Sequence, residues 1–259
     1  MTTAPQLNFG NLPLVEAAVR ATFADSIHLK FSLVNNIHDL LKGSFVELSE
    51  PERHEVAPGV AGTVEFRPGH LTGVVYGGHE DGLRATVQSR VAVIRWQKQF
   101  TKHPQEYPRF ATMQAALWQV IEAVETVYEL KPLPIAVVNM SYVNFLPVTD
   151  FASVLTDYFS KSVHVQATEN AELIRKVELS WRNAGIDLRF CLEKLTAVID
   201  EDSMDGCRLT TVAGVTVPEP DGDPKVKLEE VHARLQVFFR DVISDRAKKE
   251  WQLQEAPDG

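Results

Sequence analysis

Apolar residues recur at helical spacing over residues 107–130, and this pattern constrains the fold of the chain more than any other. One stripe contains Met113, Leu117, Val120, Ile121, Val124, Val127 and Tyr128. Such a stripe is typical of a helix that covers one side of a sheet. Prolines at positions 132 and 134 end the predicted helix. Strand-like segments precede it, and further strand-like segments precede a second long amphipathic stretch at residues 226–251.

The first part of the chain is predicted to contain several strands and two helices. Alternation predicts a half-buried strand at 14–23, and a helix follows at 27–41, with Asp25 or Ser26 as its N-cap and Gly43 as its end. Residues 49–59 are polar and predict a surface loop. An antiparallel meander is expected at 62–67, 71–76, 83–88 and 90–98 because Pro68-Gly69 and Asp81-Gly82 are strong turn signals. Residues 135–145 are rich in β-branched and aromatic side chains and predict a buried strand.

The second part repeats this order in outline. We predict a short helix at 151–159, strands at 173–181, 186–192, 195–199 and 208–215, an acidic loop at 200–206 and a linker at 218–224. The closing helix at 226–251 would bury one broad face that contains Leu228, Val231, Leu235, Phe238, Val242 and Trp251.

These elements predict an α+β fold made of two similar halves, each a mostly antiparallel sheet packed on a long helix, which share one core. The halves are expected at 12–147 and 148–253, between flexible ends at 1–11 and 254–259. The recurrence of strands before a helix suggests an internal duplication, although residue identity between the halves is low.

Charge and composition narrow the class of protein. The 259 residues carry a net charge of −9, which disfavours nucleic acid and anionic membranes as partners. A basic cluster of Arg95, Lys98, Lys102, His103 and Arg109 leaves recognition of one anionic group open. The start of the sequence lacks the pattern of a signal peptide, and no segment is apolar over about 18 residues. We therefore expect a soluble cytoplasmic protein whose two cysteines are free thiols.

No established catalytic motif is found in the sequence. A phosphate-binding glycine loop, a nucleophile elbow and a two-histidine zinc helix are all missing, so we predict no catalytic residue, cofactor or metal. The acidic run Asp200, Asp202, Asp205 and Gly206 could suggest calcium, but an EF-hand loop that starts at Asp200 would place Met204 and Thr211 at ligand positions. A solvated turn is the favoured interpretation.

Aromatic and polar residues predict a binding site beside the strand at 90–98. Alternation puts Trp96 and Lys98 on one face, near the start of the helix at 107–130. His232, beside the apolar stripe of the last helix, either satisfies a buried hydrogen bond or acts as acid, base or ligand. The candidate ligand- or partner-binding residues are Gln88, Trp96, Lys98, Tyr107, Arg109, Tyr142, Asn144 and His232.

Short motifs in a fixed order carry a resemblance over nearly the whole chain. They are Leu14-Val15-Glu16, Val87-Gln88, Ile94-Arg95-Trp96-Gln97-Lys98, Tyr107-Pro108-Arg109-Phe110, Tyr142-Val143-Asn144, Val231-His232 and Trp251. Together they resemble a sporadically distributed family of uncharacterised bacterial proteins. The resemblance implies a shared fold and similar use of these positions without an assigned reaction. Its patchy distribution implies an accessory role in bacterial defence or toxin-antitoxin cassettes. Ile94 and Gln97 replace the Asn and Arg often seen beside the tryptophan.

The sequence thus favours a non-catalytic binding or regulatory module over an enzyme. Its expected partner is a protein or a second copy of the chain, with a small anionic ligand as a further option. The alternative is a small-molecule enzyme or ligand sensor with a pocket between sheet and helix.

Overall fold

The computed structural model describes residues 8–9, 13–49, 73–78, 82–98, 106–130, 132–148, 150–160, 175–199, 202–218 and 222–254. The predicted strand at 62–67 and most of the predicted loop at 49–59 lie outside these ranges.

The described elements combine strands and helices, as predicted. The strands are β1 (Asn8–Phe9), β2 (Leu14–Phe23), β3 (Phe45–Ser49), β4 (Gly73–Gly78), β5 (Leu83–Gln88), β6 (Val91–Gln97), β7 (Ile135–Leu146), β8 (Lys176–Asn183), β9 (Ile186–Ile199), β10 (Asp202–Thr216) and β11 (Leu253–Gln254). The helices are α1 (Phe31–Leu41), α2 (Arg109–Tyr128), α3 (Phe151–Tyr158), α4 (Pro224–Val242) and α5 (Asp245–Glu250).

Nine of the described strands form one sheet in the order β3-β4-β5-β6-β2-β7-β10-β9-β8, while β1 pairs with β11. The pairs β3–β4, β4–β5, β5–β6, β8–β9 and β9–β10 are antiparallel. The fold is therefore α+β, and the internal duplication stays a prediction.

The chain divides into two compact units. Unit 1 takes the described residues within 1–17 and 138–259, and unit 2 takes those within 18–99 and 105–137. The division falls inside β2 and inside β7. The domain limits predicted from the sequence stay predictions.

In unit 2, β4, β5 and β6 correspond to the last three strands of the predicted four-stranded meander. Leu83 lies opposite Trp96, and Ala85 lies opposite Ile94. The side chains of Ala85, Ile94 and Trp96 are buried, and α2 packs against β5 and β6. The helix ends at Glu129, which has a left-handed φ of 51°. This conformation lets the Glu129 N–H bond the last carbonyls of the helix.

In unit 1, long hairpins build the sheet, and α4 packs on β9 and β10. Strands β8 and β9 are joined by the two-residue turn Ala184-Gly185, in which both residues have positive φ. The core between the sheet and the helix contains Phe190, Leu192 and Leu209 of the strands and Phe239 of α4. Alternate residues of β8 and β9 carry exposed ion pairs, such as Arg189 with Glu178 at 3.4 Å.

The first helix begins later than predicted. Residues 27–30 have no regular secondary structure, and α1 starts at Phe31 after Lys30, which is extended and makes no side-chain cap. Ile27 and Leu29 are nevertheless buried, which explains why the sequence places apolar residues ahead of the helix. Strand β3, which pairs with β4, was not predicted from the sequence.

The prediction of an acidic loop at 200–206 is wrong for its described residues. Asp202 to Gly206 belong to β10, where Asp202 lies opposite Ile199 and Gly206 lies opposite Leu195. The Asp205 carboxylate accepts a hydrogen bond from the Thr196 hydroxyl across the two strands at 2.6 Å. Cross-strand pairing thus outweighs the turn propensity of the aspartates.

The last helix is two helices rather than one. After α4 ends at Val242, Ile243 forms an antiparallel bridge with Phe159. The Ser244 side chain then caps α5 by accepting a hydrogen bond from the Ala247 N–H at 3.1 Å. A serine N-cap starts a new helix because its side chain replaces a missing backbone acceptor. Trp251 follows α5 and is buried.

None of the described helices is both long enough and apolar enough to cross a membrane.

Candidate functional site

An aromatic pair connects β6 to the start of α2 in unit 2. The rings of Trp96 and Tyr107 meet edge to face with centroids 5.6 Å apart. Trp96 is 2 % exposed, and Tyr107 is partly exposed. Because edge-to-face pairs stabilise contacts beyond the burial of area, this pair fixes Tyr107 two residues before the helix begins.

Two predicted cations flank this aromatic pair in the sequence. Lys98 directly follows β6 and is partly exposed, while Arg109 is the first residue of α2 and is exposed. Arg109 has a φ of 72°, which is costly for a residue with a Cβ. Pro108 precedes it and makes no side-chain cap. We refer to Trp96, Lys98, Tyr107 and Arg109 as the cationic corner.

The basic cluster seen in the sequence does not form one surface. Arg95 and Trp96 are neighbours in β6, so their side chains point to opposite faces of the sheet. Arg95 thus lies on the face away from the Trp96–Tyr107 pair. Lys102 and His103 lie outside the described residues. Gln88, at the end of β5, lies opposite Val91 and is partly exposed.

Asn144 occupies an unexpected place for a predicted contact residue, because it is fully buried in β7. Within the described structure neither its Oδ1 nor its Nδ2 has a hydrogen-bond partner. Thr211 in β10 is also fully buried, and its hydroxyl has no partner in that same part of the chain. Buried polar groups without partners are rare in folded proteins and call for a reason.

Asn144 and Thr211 lie on one face of neighbouring strands. Alternate residues of β7, including Met140 and Asn144, are buried, as are alternate residues of β10, including Leu209 and Thr211. Gly214 approaches Asn139 on the other face, where a Cβ on Gly214 would lie 3.1 Å from the Asn139 Cβ. We call this buried pair of Asn144 and Thr211 the polar core pair.

His232 lies on α4, the helix that packs on β10. Its Nε2 lies 3.0 Å from the Gln236 amide nitrogen, one helical turn away. Burial lowers the pKa of His232 from 6.5 to about 4, because removal from water penalises the imidazolium. The imidazole is therefore neutral at neutral pH, and its ring nitrogen can accept the Gln236 N–H. A hydrogen bond of this kind is one of the two roles predicted for His232 from the sequence.

The eight predicted site residues fall in both units. Gln88, Trp96, Lys98, Tyr107 and Arg109 belong to unit 2, whereas Tyr142, Asn144 and His232 belong to unit 1. Within unit 2, the structure brings Trp96 and Tyr107 into contact. Tyr142 is partly buried in β7.

The potential metal ligands and the two cysteines among the described residues do not form a reactive site. No cluster of three or more His, Cys, Asp or Glu side chains there could hold a metal ion. Cys191 and Cys207 are free thiols, as predicted. Burial raises the pKa of both, which reduces their reactivity.

No protein-family model matches the chain, and no curated protein matches it at a significant level. The resemblance drawn from the short motifs therefore stays a prediction.

Thr211 was not among the residues predicted from the sequence. A signal for it exists, since it interrupts an otherwise apolar alternation in β10.

Proposed function

We propose that this chain is a non-catalytic binding or regulatory module that recognises a protein partner through the cationic corner. The observation that carries the proposal is the strained, exposed Arg109 held beside the Trp96–Tyr107 contact. The proposal includes a cytoplasmic location and an accessory role in a bacterial defence or toxin-antitoxin cassette.

The backbone strain at Arg109 supports a role for this residue as a fixed anchor for a partner protein. A left-handed φ in a residue with a Cβ costs on the order of 1–3 kcal/mol. Such strain persists where the surroundings over-determine the conformation, and it concentrates at sites of recognition. Here Tyr107 is held by the buried Trp96, so the backbone beside Arg109 is fixed before a partner arrives. A fixed arginine loses less entropy on binding an acidic group than a mobile one.

A double variant, Lys98→Ala with Arg109→Ala, tests the proposal. The tagged chain is used to capture its partner from the host, and the captured protein is then purified and titrated against both forms. We expect binding to weaken at least tenfold while the thermal midpoint stays within about 2 °C, because exposed cations contribute little to folding.

The matched control is Lys30→Ala with Lys42→Ala, which removes two exposed cations from the same unit. This control should bind the captured partner as the wild type does. Equal weakening by both pairs would show a general charge effect, and unchanged binding by the first pair would refute the proposal.

A second candidate function is that of a ligand sensor, which the polar core pair favours. Asn144 offers one acceptor and two donors, and Thr211 offers a hydroxyl, all without a partner among the described residues. A neutral molecule with adjacent donor and acceptor groups would satisfy them. Helix α4 packs on β10, and the alternative interpretation of the sequence expects a pocket between sheet and helix.

Native mass spectrometry of the chain purified from its host tests this second function. A metabolite that stays with the wild type and is lost from Asn144→Leu and from Thr211→Val would support it. Asn139→Leu, on the opposite face of β7, is the control and should keep the metabolite. If the wild type carries no small molecule, the sensor function is rejected.

A further inference from the structure

Strand β8 lies at one end of the nine-stranded sheet formed by the described strands. It is 8 residues long and contains neither proline nor glycine. On its inner side it pairs with β9 along its whole length, and no described strand pairs with its outer side. An edge of this kind presents a row of backbone N–H and C=O groups to which another strand can bind.

The turn after β8 decides which residues direct their backbone groups to this outer edge. In a hairpin closed by a two-residue turn, here at 184–185, the flanking residues Asn183 and Ile186 form a hydrogen-bonded pair. Such pairs recur at every second residue, and the Lys194 N–H accordingly donates to the Arg175 carbonyl at 2.8 Å. The alternate residues direct their N–H and C=O groups outward. These residues are Lys176, Glu178, Ser180 and Arg182.

The side chains of β8 separate into a charged face and an apolar face. Glu178 and Arg182 lie on one face, where 40 % and 74 % of their side-chain surface is exposed. Leu179 and Trp181 lie on the other face, where they are partly exposed and pack against the core of unit 1. The Trp181 ring also contacts Phe238 of α4, with centroids 5.0 Å apart. Apolar surface therefore stays uncovered next to the outer edge.

We propose that β8 is the interface of a symmetric dimer, in which it pairs antiparallel with β8 of a second copy of this chain. The two-fold axis passes through Ser180, so that Glu178 lies opposite Arg182 of the second copy. The same register sets Leu179 opposite Trp181 of the second copy on the apolar face. Symmetry forms each of these pairs twice. Because the contact is two-fold symmetric, the assembly closes at two chains.

Charge selects this register among those that pair most of β8 and keep like faces together. An axis one residue earlier places Lys176 opposite Arg182, and an axis two residues earlier pairs Glu178 with its own copy. An axis one residue later brings no opposite charges together. Like charges directly opposite each other are destabilising, whereas opposite charges stabilise a cross-strand pair. The register centred on Ser180 is thus the one that gains ion pairs.

Ion pairs within one chain extend this network. The Arg182 Nε lies 3.4 Å from the Asp187 carboxylate of β9, and the Glu178 carboxylate lies 3.4 Å from the Arg189 Nε of β9. In the dimer, Arg182 lies between Asp187 of its own chain and Glu178 of the second copy. A guanidinium has several N–H donors, so it can bind both carboxylates. Charges in a network contribute more than isolated exposed pairs do.

Sedimentation velocity of the whole chain over a range of concentrations tests the proposal. The wild type should dimerise. Arg182→Glu should weaken the dimer by about tenfold or more, because each of the two cross-strand pairs changes from attraction to repulsion. Glu178→Arg should weaken it in the same way. The double variant Glu178→Arg with Arg182→Glu exchanges the two charges and should restore the affinity to within about threefold of the wild type.

Ser180→Pro tests the backbone contacts. The Ser180 N–H points outward, so proline removes no hydrogen bond to β9 and is tolerated in an edge strand, while pairing at the two-fold axis is lost. We expect a monomer whose thermal midpoint stays within about 4 °C of the wild type. If this variant does not fold, the charge variants still decide, because Glu178 and Arg182 are exposed.

The control is Lys249→Glu, which reverses an exposed cation of α5 in the same unit and should leave dimerisation unchanged. A wild type that stays monomeric at about 100 μM would overturn the choice of a second copy as the occupant of this edge. A dimer that survives both Ser180→Pro and Arg182→Glu would overturn β8 as the interface. A double variant as weak as the single ones would overturn the register. Because β8 belongs to unit 1 and the cationic corner to unit 2, the Lys98 and Arg109 variant tests the proposed function separately.

Discussion

Single buried polar residues are the most informative positions of this chain. Asn144 and Thr211 are each 0 % exposed and lack hydrogen-bond partners in the described residues. Apolar residues of similar size would pack at these positions without any polar cost. The polar groups at these positions therefore lower the stability of the protein. Such a cost in stability is expected where residues serve to bind a ligand.

Replacing Asn144 by leucine should stabilise the protein. A buried polar group without a partner costs about 1–3 kcal/mol, and leucine has a similar volume without that cost. We expect the free energy of unfolding, measured by urea denaturation, to rise by about 1–3 kcal/mol. Asn139→Leu on the more exposed face of β7 is the control and should change it by less than about 0.5 kcal/mol. A loss of stability in Asn144→Leu would show that the carboxamide has a polar partner.

His232 should make stability depend on pH in a defined window. Its pKa is about 4 in the folded protein and 6.5 ordinarily, so between these values the unfolded chain binds the proton and the folded chain does not. Stability is therefore full above about pH 6.5 and falls as the pH drops towards 4.

The size of this effect follows from a comparison with His232→Gln, which does not titrate. Over this window the wild type should lose about 1–3 kcal/mol more unfolding free energy than the variant. Denaturant unfolding at pH 7, 5.5 and 4.5 measures the difference. Parallel curves for the two proteins would contradict burial of a neutral imidazole.

At the scale of elements, β10 shows how a close approach selects glycine. A Cβ on Gly206 would lie 2.5 Å from the Phe145 Cζ and 2.6 Å from the Leu146 carbonyl oxygen. The ring can move, but the backbone oxygen of the neighbouring strand moves only if the strands separate. Glycine is therefore required at position 206 because the two strands leave no room for a Cβ. This position lies in the segment that was predicted as a loop from its aspartates.

Gly206→Ala should accordingly destabilise the protein. Overpacking of this kind costs about 1–3 kcal/mol, and we expect a loss of that size in the free energy of unfolding. Gly43→Ala is the matched control, because a Cβ there meets no atom within 4 Å. Circular dichroism during thermal unfolding measures both variants. Equal midpoints for the two would contradict the close contact between β7 and β10.

At the scale of the whole molecule, each unit has its own buried contacts. In unit 1, Trp251 stacks on Tyr158 and on Phe239, with centroids 5.8 Å and 6.0 Å away. In unit 2, Leu117 of α2 is fully buried. Compact units with separate contacts of this kind open locally with different free energies.

Trp251→Ala and Leu117→Ala should therefore affect different parts of the chain. Truncation of a buried tryptophan or leucine costs about 2–5 kcal/mol. Hydrogen exchange should accelerate mainly in β8, β9 and α4 for Trp251→Ala, and mainly in α2, β5 and β6 for Leu117→Ala. Uniform acceleration over the described residues in both variants would show that the two units unfold as one.

Local patterns in the sequence are sufficient to predict several of the helices and strands. Strand β5 begins and ends where alternation predicted, and α2 follows its apolar stripe to within two residues. The antiparallel order of β4, β5 and β6 also agrees with the prediction. Periodicity and turn residues act over a few positions, so these features can be read without knowledge of distant contacts.

Contacts between distant residues follow from the packing of the folded chain and not from local patterns. β2 lies between β6 and β7, an order that no local pattern encodes because it depends on pairing between distant segments. Pairing with β9 likewise makes Asp202 to Gly206 part of a strand. The burial of Asn144 could not be predicted from the sequence either. A polar residue in a strand is ordinarily expected at the surface, and its actual environment depends on packing between distant segments.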